Sequence, residues 1–303
     1  MKRPIFTGSG VALITPMNED LTVNYDALEE LLEFHIANGT DAIVACGTTG
    51  EAATLSEEEH SAVLKFVAEK VNGRTVVIGG TGSNDTNTAI KLSKEAEASG
   101  LDALLTVTPY YNKTSQRGLV KHFNTIADSV DLPIILYNVP SRTGCNIKPE
   151  TYAELCKHPN IVACKEASGD ISQVALIRSL CGEELDVYSG NDDQTVPFMS
   201  LGALGVISVF ANICPQEMHD LCQLCLDNDF KGASKMHFHY LELMNIMFSD
   251  INPIPVKTAM NLFGFNAGEC RLPLVPMNTA GYHNLKACLT KYDLIDKYST
   301  YNK

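Results

Sequence analysis

The chain has 303 residues, 45% of them hydrophobic and 19% charged, which is ample apolar material for a core. Its formal net charge of −13 argues against a nucleic-acid partner, which favours basic patches, but leaves room for a small anionic substrate held by a local field. No apolar run reaches the ~18 residues of a membrane span, and "MKRPIFTGSG" leads into no apolar signal core, so a cytoplasmic protein with no membrane contact is expected.

Eight short β-rich runs follow one another along the chain. They are "VALITP" (11–16), "AIVACG" (42–47), "VVIGG" (76–80), "ALLTVTP" (103–109), "PIILYNV" (133–139), "IVACKEA" (161–167), "DVYSG" (186–190) and "GVISV" (205–209). They are continuously apolar rather than alternating, the pattern of parallel strands covered on both faces. Helical stretches lie between them. Residues 25–39 carry apolar positions at helical spacing and end in Gly39. Residues 56–73 open with Ser56 and Glu59 in capping-box spacing and end in Gly73. A weak internal repeat, "ANGTDAIV" and "ASGLDALL" with a looser "LGALGVIS", joins helix end, glycine and strand.

Eight strands alternating with helices predict an α/β fold, a (β/α)8 TIM barrel. A doubly wound sheet is the second choice, and "VALITPMNED" lacks the glycine fingerprint that such a sheet carries after its first strand. Beyond residue 228 only helical patterns follow, at 230–248, 254–265 and 282–298. The expected division is a catalytic barrel over 1–228 and a C-terminal helical domain over 229–303.

The ten cysteines lack secreted-domain spacing and are expected to be reduced and structural, with Cys46, Cys145, Cys156 and Cys164 inside strands or helices. The one C-x-x-C, Cys222 and Cys225, falls in a helical pattern without a second pair and is not expected to bind zinc. The eight histidines do not gather at strand ends, and His237 and His239 face different sides of a helix. No metal and no cofactor are expected.

In such a barrel the active site forms at the C-terminal strand ends. Those ends carry "CGTTGE", "TPYYNK", "LYNVPSRTG", "KEASGD" and "SGND", rich in hydroxyls and glycines and poor in histidine. Lys165 is the only lysine inside any predicted strand, and alternation turns its neighbour Glu166 to the opposite face. A desolvated lysine has a lowered pKa, so its neutral amine can attack a carbonyl and form a Schiff base. A surface lysine on a misassigned strand is the bland alternative. Tyr137, in an otherwise apolar strand, is either a core tyrosine or a phenol placed to shuttle protons. "GTTGE" is either an ordinary turn or a nest of N–H groups for a carboxylate with Thr48 and Thr49 at its tip. Arg142 sits where a guanidinium would suit a second carboxylate.

Taken together, "GTTGE", "YYNK", "YNVPSRTG" and "KEASGD", in this order, resemble the dihydrodipicolinate synthase group of the pyruvate-dependent class I aldolases, a family shared with N-acetylneuraminate lyase. The resemblance runs from "FTGSGVALITP" to "NPIPVK" and "RLPLVP". It implies a Schiff base between Lys165 and pyruvate, Tyr137 as general acid/base, and Thr48 and Tyr111 completing a proton relay. It further implies that Tyr111 reaches across a dimer interface. Thr49, Gly190 and Ile207 would hold pyruvate, and Arg142 would bind L-aspartate 4-semialdehyde. The assembly implied is a homotetramer, a dimer of dimers. Thr48 and Arg142 favour the synthase over sialate or 2-keto-3-deoxy sugar acid aldolases. A barrel that binds a keto acid without turnover is the rival of another class. A lysine feedback site would involve His60, Asn84 and Tyr110. Thr88 and Glu57 stand where inhibited members carry glutamate and commonly histidine, so weak or absent lysine inhibition is expected.

Overall fold

A computed structural model describes residues 2–299 and forms a closed barrel of eight parallel strands in chain order. The strands are β1 Gly8–Ala12, β2 Ala42–Ala45, β3 Val76–Gly80, β4 Ala103–Val107, β5 Ile134–Asn138, β6 Ile161–Glu166, β7 Asp186–Ser189 and β8 Gly205–Ser208. The helices between and after them are α1 Tyr25–Ala37, α2 Glu57–Val71, α3 Thr86–Ala98, α4 Gln116–Ala127, α5 Pro140–Thr143, α6 Pro149–Leu155, α7 Ile171–Cys181, α8 Thr195–Ser200 and α9 Pro215–Leu226. A C-terminal group follows, α10 Phe230–Ile246, α11 Ile254–Leu262, α12 Thr279–Lys291 and α13 Leu294–Ser299. No helix among the described residues is long and apolar enough to cross a membrane.

Successive strand side chains point to opposite faces, and both faces are covered. Val44, Ile78, Leu105, Ile135, Ala163 and Ile207 fill the barrel interior. Ile43, Val77, Leu104, Leu136, Cys164 and Val187 pack outward against the helices. That two-sided burial is why the strands read as unbroken apolar runs. The predicted capping box forms in full at α2, with Ser56 and Glu59 satisfying each other's backbone N–H groups. The side chains of Asp85, Ser115 and Asp170 cap α3, α4 and α7.

The internal repeat has a structural role. Gly39 and Gly100 end α1 and α3 in left-handed backbone, at φ 76° and 80°. The aspartate two residues later then ties its strand to the one before. The Asp41 carboxylate accepts from Ser9 N at 2.8 Å, and the Asp102 carboxylate accepts from Val77 N at 2.8 Å.

The first strand is displaced from its expected place. It occupies Gly8–Ala12 rather than 11–16. The glycine-rich "GSG" lies outside the expected run, yet here it is the closure of the barrel. Gly8 pairs with Gly205, and a Cβ on Gly205 would stand 1.9 Å from the Gly8 carbonyl oxygen. Three of the cysteines also differ from expectation. Cys46 lies just past β2 at φ 53°, and Cys145 lies in the loop after α5. Cys156 caps α6 one residue past its end, and of the four only Cys164, in β6, lies inside a regular element. β2 and α6 each stop one residue before their cysteine, and the chain turns at Gly144 before Cys145. All ten cysteines are free thiols.

Candidate active site

The site is built by register. Tyr137 is the fourth residue of β5 and Lys165 the fifth of β6, and the two are direct partners in the paired strands. Partners across a parallel pair share a face, so both side chains enter the barrel at the same level. The Lys165 Nζ accordingly stands over the Tyr137 ring, 4.4 Å from its centroid. On its other side Lys165 is paired with Tyr188 of β7, whose ring lies in the barrel interior, stacks on Phe6 at 4.3 Å and donates its hydroxyl to the Phe6 carbonyl.

Lys165 is only 6% exposed, and its amine makes no hydrogen bond or ion pair among the described residues. Burial lowers its pKa to about 8, with the Asp192 charge opposing and the Arg142 charge assisting. At that pKa roughly a tenth of the amines are neutral at pH 7, against ~0.03% for an ordinary lysine. Burial pushes the Tyr137 phenol up, while the Arg142 charge and the Thr48 side chain pull it back, so the phenol holds its proton at neutral pH.

Lys165 and Tyr137 line a cavity of about 200 Å³ with Thr48, Thr49, Val139, Arg142, Gly190 and Asn191. Gly190 is needed for space. A Cβ there would come 2.6 Å from the Ala167 Cβ and 3.2 Å from the Lys165 Cε. The short helix α5 carries Arg142 to the rim, where its guanidinium has no hydrogen-bond or ion-pair partner among the described residues. The cavity therefore combines a partly neutral amine, a protonated phenol, hydroxyls and one free guanidinium. Such a set can capture a small keto acid covalently and hold a second carboxylate at the mouth.

Comparison with known proteins decides the family. The dihydrodipicolinate synthetase family model matches residues 5–292. A 4-hydroxy-tetrahydrodipicolinate synthase of a Thermoanaerobacter species is 56% identical over 96% of this chain and 98% of its own. The crystal structure of the Aquifex aeolicus dihydrodipicolinate synthase superposes with a TM-score of 0.94 at 46% identity, covering 95% of this chain and 99% of that one. That of the chloride-inhibited Acinetobacter baumannii enzyme, solved with pyruvate, superposes at 0.93 and 44% identity, covering 95% and 99%.

This chain belongs to the dihydrodipicolinate synthetase family. Against that membership the remaining expected positions fall into two groups. Thr48, Thr49, Tyr137, Arg142, Lys165 and Gly190 all line one cavity. Ile207 lies one turn of the pleat deeper, in the inner core, and Val209 takes its strand's place in the wall. Tyr111 does not enter the cavity of its own chain. It sits 92% exposed at φ 67°, on the outside of a tight turn closed by the Asn112 N–H to the Tyr110 carbonyl. His60, Asn84 and Tyr110 lie apart from the cavity. His60 is buried with Nε2 2.7 Å from the Gly80 carbonyl, and the Asn84 carbonyl accepts from the Asn112 side chain.

Four sets of contacts at the site go beyond what the sequence indicates. Asp192 is buried, and its carboxylate accepts from the Val209 and Phe210 N–H groups at 3.2 and 2.9 Å. Burial raises its pKa to about 6. Glu166 occupies the outer face of β6, as alternation requires, and is satisfied there by neutral donors only. It accepts from Ser168 N at 2.8 Å, Tyr152 Oη at 3.0 Å, Gln173 Nε2 at 3.1 Å and the Asn138 amide. Four separate elements thus grip the residue beside Lys165. Phe248 and Asn252, from the helical C-terminal segment, complete the cavity wall. Finally, a second buried lysine, Lys257 of α11, pairs with Glu51 of the "GTTGE" turn at 2.8 Å.

Proposed function

We propose that the chain condenses pyruvate with L-aspartate 4-semialdehyde through a Schiff base on Lys165, giving 4-hydroxy-tetrahydrodipicolinate on the route to diaminopimelate and lysine. The carrying observation is the buried amine of Lys165, free of any ion pair and held over the Tyr137 ring. The neutral amine attacks the keto carbon of pyruvate. The Tyr137 phenol protonates the carbinolamine hydroxyl, and water leaves as the C=N bond forms. A methyl proton of pyruvate then returns to the phenolate, giving an enamine. Its carbon attacks the aldehyde, whose oxygen takes up a proton. The amino group of the semialdehyde then displaces Lys165 and closes the ring, for a net loss of one water.

Thr48 and Tyr111 relay the proton between Tyr137 and solvent, with Tyr111 reaching the site from a neighbouring copy. Thr49 and Gly190 seat the pyruvate, Ile207 contributing through its backbone from the layer beneath, and Arg142 takes the semialdehyde carboxylate. The active form is a cytoplasmic homotetramer, a dimer of dimers, each chain contributing a catalytic barrel over 1–228 and a helical domain over 229–303. Lysine inhibits weakly or not at all through His60, Asn84 and Tyr110. The Thr88 hydroxyl is engaged by Asp85 and Glu57 is paired with Lys91, so neither supplies a free carboxylate for an ammonium. Inhibition by micromolar lysine in a steady-state assay overturns this last point.

Borohydride reduction in the presence of pyruvate tests the chemistry. The expected result is a covalent mass gain located at Lys165, together with faster turnover of aspartate semialdehyde than cleavage of N-acetylneuraminate or 2-keto-3-deoxy sugar acids. No adduct at Lys165 overturns the Schiff base, and preferred cleavage of a sugar acid overturns the substrate.

A further inference from the structure

The turn that carries Thr48 and Thr49 is held from outside the barrel. It begins at Cys46 and ends at Glu51, both in left-handed backbone, at φ 53° and 55°. Neither is glycine, so surrounding contacts must hold the conformation in place. Inside the turn, Glu51 N donates to the Thr48 carbonyl at 3.1 Å and the Thr15 hydroxyl donates to the Gly50 carbonyl at 2.7 Å. The rest of the restraint comes from the chain more than two hundred residues later. Lys257 Nζ donates to Glu51 Oε1 at 2.8 Å and also to the Glu269 carbonyl at 2.8 Å. Arg271 N donates to Glu51 Oε2 at 2.9 Å, and Asn252 Nδ2 donates to Thr49 Oγ1 at 3.0 Å.

Glu51 and Lys257 are 4% and 2% exposed, and neither lines the cavity. A buried ion pair contributes little net stability compared with a well-packed apolar pair of the same shape. What this pair does supply is direction. It fixes one carboxylate at the end of the turn from two sides, and with it the azimuth of Thr48 and Thr49.

We infer that Lys257 and Glu51 form a positioning clamp that sets the affinity for the keto acid by holding the Thr48–Thr49 turn against the cavity. The inference rests on the assignment of Thr49 to pyruvate proposed above. The clamp touches no substrate, so its loss acts on the turn and not on the amine.

The test titrates borohydride trapping at Lys165 against pyruvate, with steady-state kinetics on both substrates, in the full chain. In Lys257→Met the pyruvate concentration for half-maximal trapping rises tenfold or more, while KM for aspartate semialdehyde stays within twofold. Lys257→Arg, which can still donate to Glu51, recovers most of the shift. Adding Thr49→Ala to Lys257→Met produces no further rise, because both act on one contact. Should Lys257→Met fail to fold, Glu51→Leu/Lys257→Met, which leaves no buried charge, is expected to fold and show the same shift. Half-maximal trapping at the wild-type concentration in either folded variant overturns the clamp, as does a shift that adds fully to that of Thr49→Ala. Absence of trapping in the wild type overturns the Schiff-base reading itself.

Discussion

Lys165 and Lys257 are both sealed from solvent, at 6% and 2% exposure, but their charges meet opposite surroundings. Lys257 is met by the Glu51 carboxylate and a backbone carbonyl, each at 2.8 Å. Lys165 has the face of a tyrosine ring and no hydrogen-bond acceptor among the described residues. A buried ammonium without a pair is disfavoured against the neutral amine, which is how burial brings Lys165 down to about 8. The two lysines thus differ by partner rather than by burial, one held in an ion pair and the other left facing an aromatic ring.

Replacing each lysine by methionine should separate them most widely. Lys165→Met abolishes turnover and the trapped adduct, yet it raises stability at pH 7. The folded pKa of about 8 lies below the 10.5 of an ordinary lysine, so the unfolded chain binds more protons between those values. The charged amine therefore destabilises the fold below pH 8, by roughly 3 kcal/mol at 1.36 kcal/mol per unit, and this penalty disappears as pH rises past the unfolded value. Denaturant unfolding at pH 7 and at pH 10.5 checks it: a variant less stable than wild type at pH 7 contradicts the unpaired state of Lys165.

Lys257→Met has the opposite sign. It strands a buried carboxylate and costs about 3–5 kcal/mol, most of it recovered when Glu51→Leu is added. Urea midpoints of the single and double variants measure the recovery, and equal losses in both would show that the two charges are not coupled.

A third change tests the space around the reactive amine. Gly190→Ala forces a methyl group between Ala167 and Lys165, and a ten- to hundredfold fall in kcat/KM for pyruvate is expected, with about 1–3 kcal/mol of lost stability. Unchanged kinetics would mean that the amine has room to move aside.

The smallest effect is electrostatic. The rate of adduct formation at low pyruvate should rise with pH and reach half its maximum near pH 8. Arg142→Gln removes a positive neighbour and moves that midpoint upward. A downward move would mean that the guanidinium does not act on Lys165.

How far these features could be read in advance depended on how local they are. Lys165, Tyr137 and Arg142 stood out because a polar side chain in an apolar strand, or just beyond one, is visible within ten residues. β1 was misplaced because "GSG" is a strand only where β8 lies close enough to demand glycine. Lys257 was hidden because a lysine on an amphipathic helix is ordinarily solvated, and its partner is 206 residues away. Phe248 and Asn252 looked like parts of a separate helical tail for the same reason. Asp192 was visible in "SGND", but only the fold buries it beneath Val209 and Phe210.

By itself the sequence determined the alternation of strands and helices, the capped helix starts, the two-sided burial of the sheet and the presence of one amine inside it. These follow from periodicity and backbone preference, which act between near neighbours. The tertiary structure decided the register that sets Lys165 beside Tyr137, the charges that tune the amine, and the use of the C-terminal segment, the α10–α11 connection above all, as a wall and clamp for the site. Each of those depends on groups brought together only when the barrel closes, and no local pattern encodes a distance between them.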